Sequence, residues 1–159
     1  MYIERYGPFA STIQKRLRKP YGFGEIKLRK EKGEFIVEVE RKNKKLIPSD
    51  YFSASQINII SLSLFLSAAL TQTWSKFSTI LLDDPVTHFD DLNAYSFIDL
   101  LRSIILSEES TRGHQFIIST CEDRLYHLLR QKLNIIHDRV KFFVFESIGE
   151  KGPIWQEVV

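Results

Sequence analysis

Cysteine occurs once, at Cys121, so no internal disulfide can staple the chain, and this usage fits a reducing compartment. The start, MYIERYGPFA, carries charges where a secretion signal needs an apolar core. The most apolar stretch, Ile57 to Leu70, is short for a bilayer span and rich in serine. These absences predict a soluble, cytoplasmic protein without a membrane partner. Also missing is any GxxxxGK[ST] loop, so nothing in the chain would cradle the α- and β-phosphates of a nucleotide. What is present, 159 residues with 43% hydrophobic and 13% aromatic content, suffices for one domain, 1–159, around one core.

Net charge is only +2, but it is unevenly spread. Residues 1–45 hold 13 Lys and Arg against 6 Glu, whereas the rest hold 9 basic against 14 acidic residues. Such asymmetry suggests either a footprint for a polyanion such as DNA or a solvated basic face. The candidate DNA-binding residues are Lys15, Arg16, Arg18, Lys19, Lys27 and Arg29.

The first segment, 9–48, reads as a helix from Phe9 to Arg18, ended by Pro20 and the glycines after it, then an antiparallel hairpin. Its strands are Glu25 to Arg29 and Glu34 to Glu40, with Phe35, Val37 and Val39 alternating onto one face. Arg41 to Lys45 reads as a polar connection. Segment 49–74 predicts a buried helix from about Ala54 to Leu70, with Ser53 as N-cap. The small-residue start of such a helix offers unpaired N–H groups and a positive dipole end to an anion, although such a stretch alone is more often a plain helix cap than a nucleotide site.

The stretch Ser78 to Asp91, STILLDDPVTHFDD, organises the remainder. Thr79 to Leu82 are apolar or β-branched and run straight into Asp83 and Asp84, which predicts a fully buried central strand whose C-terminal end opens onto a site. Paired acids there suit a hydrated Mg²⁺ and a polarised water; a solvated acidic turn is the bland alternative. A helix over Leu92 to Leu106 follows, with Ala94, Phe97, Ile98, Leu101, Ile104 and Ile105 on its inner face and Asp91 or Asn93 able to cap it. Segment 114–159 contains a second buried strand, His114 to Thr120, and a helix, Glu122 to Leu133. Two closing strands, Val140 to Glu146 and Ile154 to Val158, complete it, their aromatics expected in the core.

ILLDDPVTHFD resembles the Walker B strand and D-loop of the ABC ATPase superfamily, with Asp84 at the usual Glu position and Phe89 at the usual Leu. FSASQ, Phe52 to Gln56, resembles the ABC signature LSGGQ, keeping Ser53 and Gln56 and placing Ala54 and Ser55 at the glycines. The second buried strand resembles the one that ends in the family's switch histidine, but here Thr120 is followed by Cys121. A thiol cannot carry imidazole's charge near neutral pH, so Thr120 or another group such as His127 would have to position the water. The order of these motifs is similar to the C-terminal lobe of SMC-like and RecF-like ABC heads, in which a coiled coil separates the Walker A lobe from the rest.

That resemblance implies an α/β fold: a central, mostly parallel sheet flanked by helices, with an antiparallel hairpin at each end. It implies a part of a longer protein, or one of a split pair, using ATP and Mg²⁺. The partners implied are an N-terminal Walker A lobe in cis or trans, a head-to-head dimer formed on ATP binding, and DNA. Asp83 would hold Mg²⁺ and Asp84 would act on the attacking water, with Thr120 and Cys121 beside it. Phe52, Ser53, Ala54, Ser55 and Gln56 would meet the γ-phosphate across the dimer, and Asp90 would relay between sites. The implied setting is DNA repair, chromosome maintenance or phage defence. A module that only dimerises on nucleotide or binds DNA, without hydrolysis, is the alternative; a metal-dependent nuclease built on Asp83, Asp84 and Asp90 is a third reading.

Overall fold

The computed structural model describes residues 2–17, 22–107 and 113–158. Helix α1, Tyr2–Arg16, begins earlier than the sequence predicts and continues through Pro8. It lies on the long helix α2, Ala54–Thr71. The close approach suits the small buried residues of α2, because Ser67 Oγ donates to the carbonyl of Tyr6 at 2.8 Å and Ser63 Oγ folds back onto Ile59 O at 2.6 Å. By length and composition α2 could cross a membrane. In the fold a third of it is buried, and its apolar residues serve two cores. Ile59, Leu62 and Leu66 enter the main core, while Ile60 enters a smaller one with Ile26 and Val39.

The smaller core is roofed by an antiparallel sheet of β1, Ile26–Glu31, β2, Glu34–Arg41, and β3, Lys44–Leu46, in that order. The expected hairpin is therefore a three-stranded meander. Its third strand escapes a reading of RKNKK as polar connection because Lys42 and Asn43 both take left-handed backbone angles, φ 47° and 62°, and turn the chain in two residues. The predicted face of Phe35, Val37 and Val39 is only graded, with Val39 buried and Phe35 exposed at the far end.

The main core gathers Ile13, Leu17, Ile80, Leu82, Phe97, Leu101, Leu125 and Leu133 around a two-stranded parallel sheet. Its strands are β4, Thr79–Asp83, and β5, Gln115–Ser119, in the register Leu82 with Ile118 and Asp83 with Ser119. Helix α3, Asp91–Leu106, joins them as the crossover, and α4, Asp123–Leu133, follows β5. Of the inner face predicted for α3, Ala94, Phe97, Ile98 and Leu101 are buried, while Ile104 and Ile105 are half-buried against the core; Leu100, not predicted, is buried too.

Two expectations are corrected. Strand β4 is not fully buried: Ile80 and Leu82 face the core, but Leu81 is 63% exposed and Ile117 beside it 50%. The cause is that helices cover one face of this sheet only, among the described residues. The closing hairpin, β6, Phe142–Gly149, with β7, Gly152–Val158, likewise carries its aromatics outside. Phe143, Phe145 and Trp155 are exposed, the first and last in edge-to-face contact at 5.3 Å. Phe142 alone of these aromatics packs on the core.

Candidate functional site

The parallel register of β4 and β5 brings two acids and three partners to one end of the sheet. Asp83 ends β4 opposite Ser119, whose hydroxyl donates to Asp83 Oδ1 at 2.5 Å. Beyond it the chain bends sharply at Asp84, which takes φ 42° and gives its N–H to Ser119 O at 2.9 Å. A left-handed non-glycine residue at a strand tip is an uncommon conformation that its surroundings must hold. Here they do. Cys121 donates its backbone N–H to Asp84 Oδ1 at 3.0 Å and its thiol to Oδ2 at 3.2 Å, while Thr87 turns both N–H and hydroxyl onto the Asp84 carbonyl.

These contacts set the charge state of the pair. The Cys121 thiol, then the Thr120 hydroxyl and the Cys121 amide, stabilise the Asp84 carboxylate and hold its pKa below the ordinary carboxylate value, against a small opposing effect of burial. The same bond raises the Cys121 pKa, because ionising the thiol would remove the donor and set two anions side by side. Asp84 is therefore an anion at neutral pH, and both of its oxygens already accept hydrogen bonds.

After Asp84 the loop is pinned by two apolar plugs, Val86 and Phe89, both in the main core. Between them His88 is exposed with φ 70°. Two side chains then hold backbone carbonyls of this loop: Asn58 Nδ2 donates to Thr87 O at 2.8 Å, and Arg124 Nη2 donates to Phe89 O at 3.0 Å. Asp90 caps α3, its Oδ1 accepting from Asn93 N–H at 2.7 Å, so the cap is neither Asp91 nor Asn93. Asp91 pairs with Arg124 instead, at 2.7 Å.

At the start of α2, Ser53 and Gln56 form a reciprocal capping box. Gln56 N–H donates to Ser53 Oγ at 3.4 Å and Ser53 N–H to Gln56 Oε1 at 3.0 Å. Ala54 and Ser55 occupy the first helical positions, whose N–H groups have no intrahelical acceptor. The Phe52 ring is turned away, edge-on against Phe23 at 4.6 Å.

The structure thus joins Asp83, Asp84, Thr120 and Cys121 directly. Among the described residues no hydrogen bond links them to Ser53–Gln56, and the connection runs through Asn58 and the loop. His127 lies exposed on α4 beside Tyr126, without a hydrogen bond to either acid. Of the basic candidates, Lys15 pairs with Glu25, Lys27 with Glu40, and Arg29 with Glu38 and Glu31, while Arg16 bonds Ser103. Arg18 and Lys19 lie outside the described residues. Lys30, Lys32, Lys42 and Lys44 are exposed and, among the described residues, form no ion pair.

Sequence reasoning missed Ser119, Asn58 and Arg124. Aligning the ends of the two apolar runs would have set Ser119 against Asp83. An asparagine inside an apolar helix needs a polar partner, and an arginine in the first turn of a helix works against the dipole, so each was a usable signal. A groove of roughly 630 Å³ lies at the opposite end of β4, lined by apolar groups such as Phe65, Trp74, Phe77 and Leu81. It is continuous with the bare face of the sheet and has none of the acids.

Among the described residues no group of three His, Cys, Asp or Glu side chains could hold a metal ion. A cation here would have to share Asp83 with ligands from elsewhere.

No protein-family model and no curated protein matches the sequence. The fold does match solved structures. One, from work on ATP-driven dimerization and DNA-stimulated activation of SMC ATPases, superposes with TM-score 0.67 at 18% identity, over 99% of this chain and 86% of that one. An Smc head bound to the C-terminal winged-helix domain of ScpA gives TM-score 0.66 at 19% identity, over 98% of this chain and 43% of that one. The Pyrococcus furiosus Smc head with an extended coiled coil, bound to the C-terminal domain of ScpA, gives 0.63 at 18%, over 98% and 35%. The chain therefore has the fold of an SMC head domain, and spans less than half the length of two of these three neighbours.

Proposed function

We propose that the chain is the C-terminal lobe of an SMC-like ABC ATPase head, which hydrolyses ATP only when a lobe carrying a phosphate loop and a second head complete the site. The observation that carries this reading is the acidic end of β4, where Asp83 and an ionised Asp84 meet the end of β5 beside a loop tied to the capped start of α2. The bare face of the sheet, with Leu81 and Ile117 exposed, supports a missing lobe. Mg²⁺ keeps several waters and is bound through one or two carboxylates plus substrate phosphates, so Asp83 would be this chain's contribution to holding it. When bound, that ion would neutralise charge on the β- and γ-phosphates.

In the assembled head Asp84 orients the attacking water and takes its proton. The Cys121 amide and thiol fix the carboxylate's direction. The N–H groups of Ala54 and Ser55 and the Ser53 hydroxyl meet the γ-phosphate of the nucleotide on the opposing head, and Asp90 sits between the two sites. Phosphoryl transfer depends mostly on positioning and charge stabilisation, so assembly from separate lobes is chemically sufficient. The solved neighbours are described in terms of ATP-driven dimerization, activation by DNA and binding of ScpA. For this chain, DNA is the proposed target, met through the basic end and above all Lys30, Lys32, Lys42 and Lys44. Repair, chromosome maintenance and phage defence are the proposed settings, in the cytoplasm.

The test is turnover. The isolated chain should show no ATPase activity; joined to a phosphate-loop lobe it should turn over, Asp83→Ala should abolish this, and Asp84→Asn should lower kcat by about 10²–10⁴-fold. Turnover by the isolated chain, or by the assembly with Asp83→Ala, rejects the reading. One observation favours a second reading, nucleotide-gated dimerisation without hydrolysis: Cys121 engages both Asp84 oxygens. ATP-dependent dimers with no phosphate release would select it.

A further inference from the structure

Asn58 and Arg124 reach the same loop from two different elements. Asn58 sits one turn into α2, five residues after its cap, and its amide holds Thr87 O. Arg124 is the second residue of α4, three residues after Cys121, and holds Phe89 O. Neither bond is needed to stabilise its own helix. Arg124 is moreover unfavourably placed for the dipole of α4, and its planar fork spans three acceptors at once: Phe89 O, Asp91 Oδ1 at 2.7 Å and Glu122 Oε2 at 3.3 Å.

Within the loop itself Thr87 gives its N–H at 3.3 Å and its hydroxyl at 2.8 Å to Asp84 O, and Phe89 N–H donates to Val86 O at 2.8 Å. Val86 and Phe89 fix its feet in the core, and between them half-buried Thr87 and exposed His88 form an arch that the two side-chain tethers join to α2 and α4.

We propose that Asn58 and Arg124 are positioning residues that make the 85–90 loop a mechanical joint between the start of α2 and the β5–α4 segment that orients Asp84. A displacement of α2 moves Thr87 through Asn58. A displacement of the Cys121–Arg124 segment moves Phe89 through Arg124. The loop is where the two are added. This rests on the ATPase reading for its consequence in catalysis, but the joint itself is a property of this chain.

The experiment therefore has two arms. In the chain alone, amide hydrogen exchange is measured for wild type, Asn58→Ala, Arg124→Met and Arg124→Lys. Loss of one hydrogen bond to the loop should speed exchange at Phe89 by about five- to tenfold, with the remaining core amides unchanged. Arg124→Lys should behave nearly as Arg124→Met, because an ammonium cannot span the three acceptors. In the assembled head, Asn58→Ala and Arg124→Met should each lower kcat with KM for ATP unchanged, and the double variant should lose less than the product of the two.

Unchanged exchange at Phe89 in both single variants overturns the proposal, as do losses that multiply independently or fall on KM. If the wild-type assembly shows no turnover, the ATPase reading fails while the exchange arm still decides the joint.

Discussion

Cys121 closes on both oxygens of Asp84, the amide at 3.0 Å and the thiol at 3.2 Å. The thiol is exposed, so access alone would make it reactive, but the neighbouring carboxylate raises its pKa from the ordinary 9.0 and lowers its thiolate fraction at neutral pH. Alkylation of Cys121 by iodoacetamide should thus be slower at pH 8 than that of an unstructured cysteine peptide. Asp84→Asn should speed it and move the midpoint of its pH profile downward. An unchanged profile in Asp84→Asn would remove the interaction.

The same pair sets two pH windows for stability. The folded pKa of Asp84 is lowered, so its contribution is present above the ordinary value of 3.8 and is lost as pH falls through the lower folded value. The folded pKa of Cys121 is raised, so its contribution is present below 9.0 and lost as pH rises through the higher folded value. Urea midpoints of wild type and Asp84→Asn should differ at neutral pH and approach one another in strong acid.

Ser53 separates a structural role from a ligand role. Its hydroxyl and the Gln56 amide form the cap of α2, so Ser53→Ala should cost about 1 kcal/mol in chemical unfolding. Ser53→Asp should restore the cap and the stability. If this helix start meets a γ-phosphate, the restored variant should still fail to dimerise on ATP, since the added charge repels the ligand. Equal ATP-dependent dimerisation in sedimentation, wild type against Ser53→Asp, would leave Ser53 as a cap only.

Phe97 tests the main core independently of function. It is 0% exposed, on the inner face of α3. Phe97→Ala should therefore cost about 3–5 kcal/mol. A loss below 1 kcal/mol in urea unfolding would contradict the packing of α3 on the sheet.

Local signals were legible wherever they were sufficient by themselves. Ser53 announces a capped helix, and the spacing of Ala94, Phe97, Ile98 and Leu101 announces the face of α3; the reciprocal bond from Gln56 came only with the structure. The end of the apolar run at Asp83 announces a strand tip. What stayed hidden depends on tertiary partners. Lys42 and Asn43 make a turn only because β3 has β2 to pair with, and a polar run gives no hint of that. The forks of Arg124 and Asn58 need elements far apart in sequence. The all-apolar β4 reads as a strand covered on both faces, and the fold covers one.

That mismatch at β4 supports the last prediction. Leu81 and Ile117 are neighbours on the open face of the sheet, with Trp74 and Phe77 exposed beside them at 78% and 66%. Bare apolar surface of this kind is uncommon on a self-sufficient domain and marks an interface. Because neither side chain is buried in the chain itself, Leu81→Glu with Ile117→Lys should change its unfolding free energy by no more than about 0.5 kcal/mol. The opposite charges on paired positions of β4 and β5 avoid cross-strand repulsion. Self-association at high concentration, followed by light scattering, should fall. Co-purification with a phosphate-loop lobe should be lost, since charges would then be buried against that lobe's apolar face without partners. If the double variant instead unfolds the chain, the open face is covered by the chain's own residues. If it assembles with a phosphate-loop lobe as well as wild type, this face is not where the proposed lobe seats.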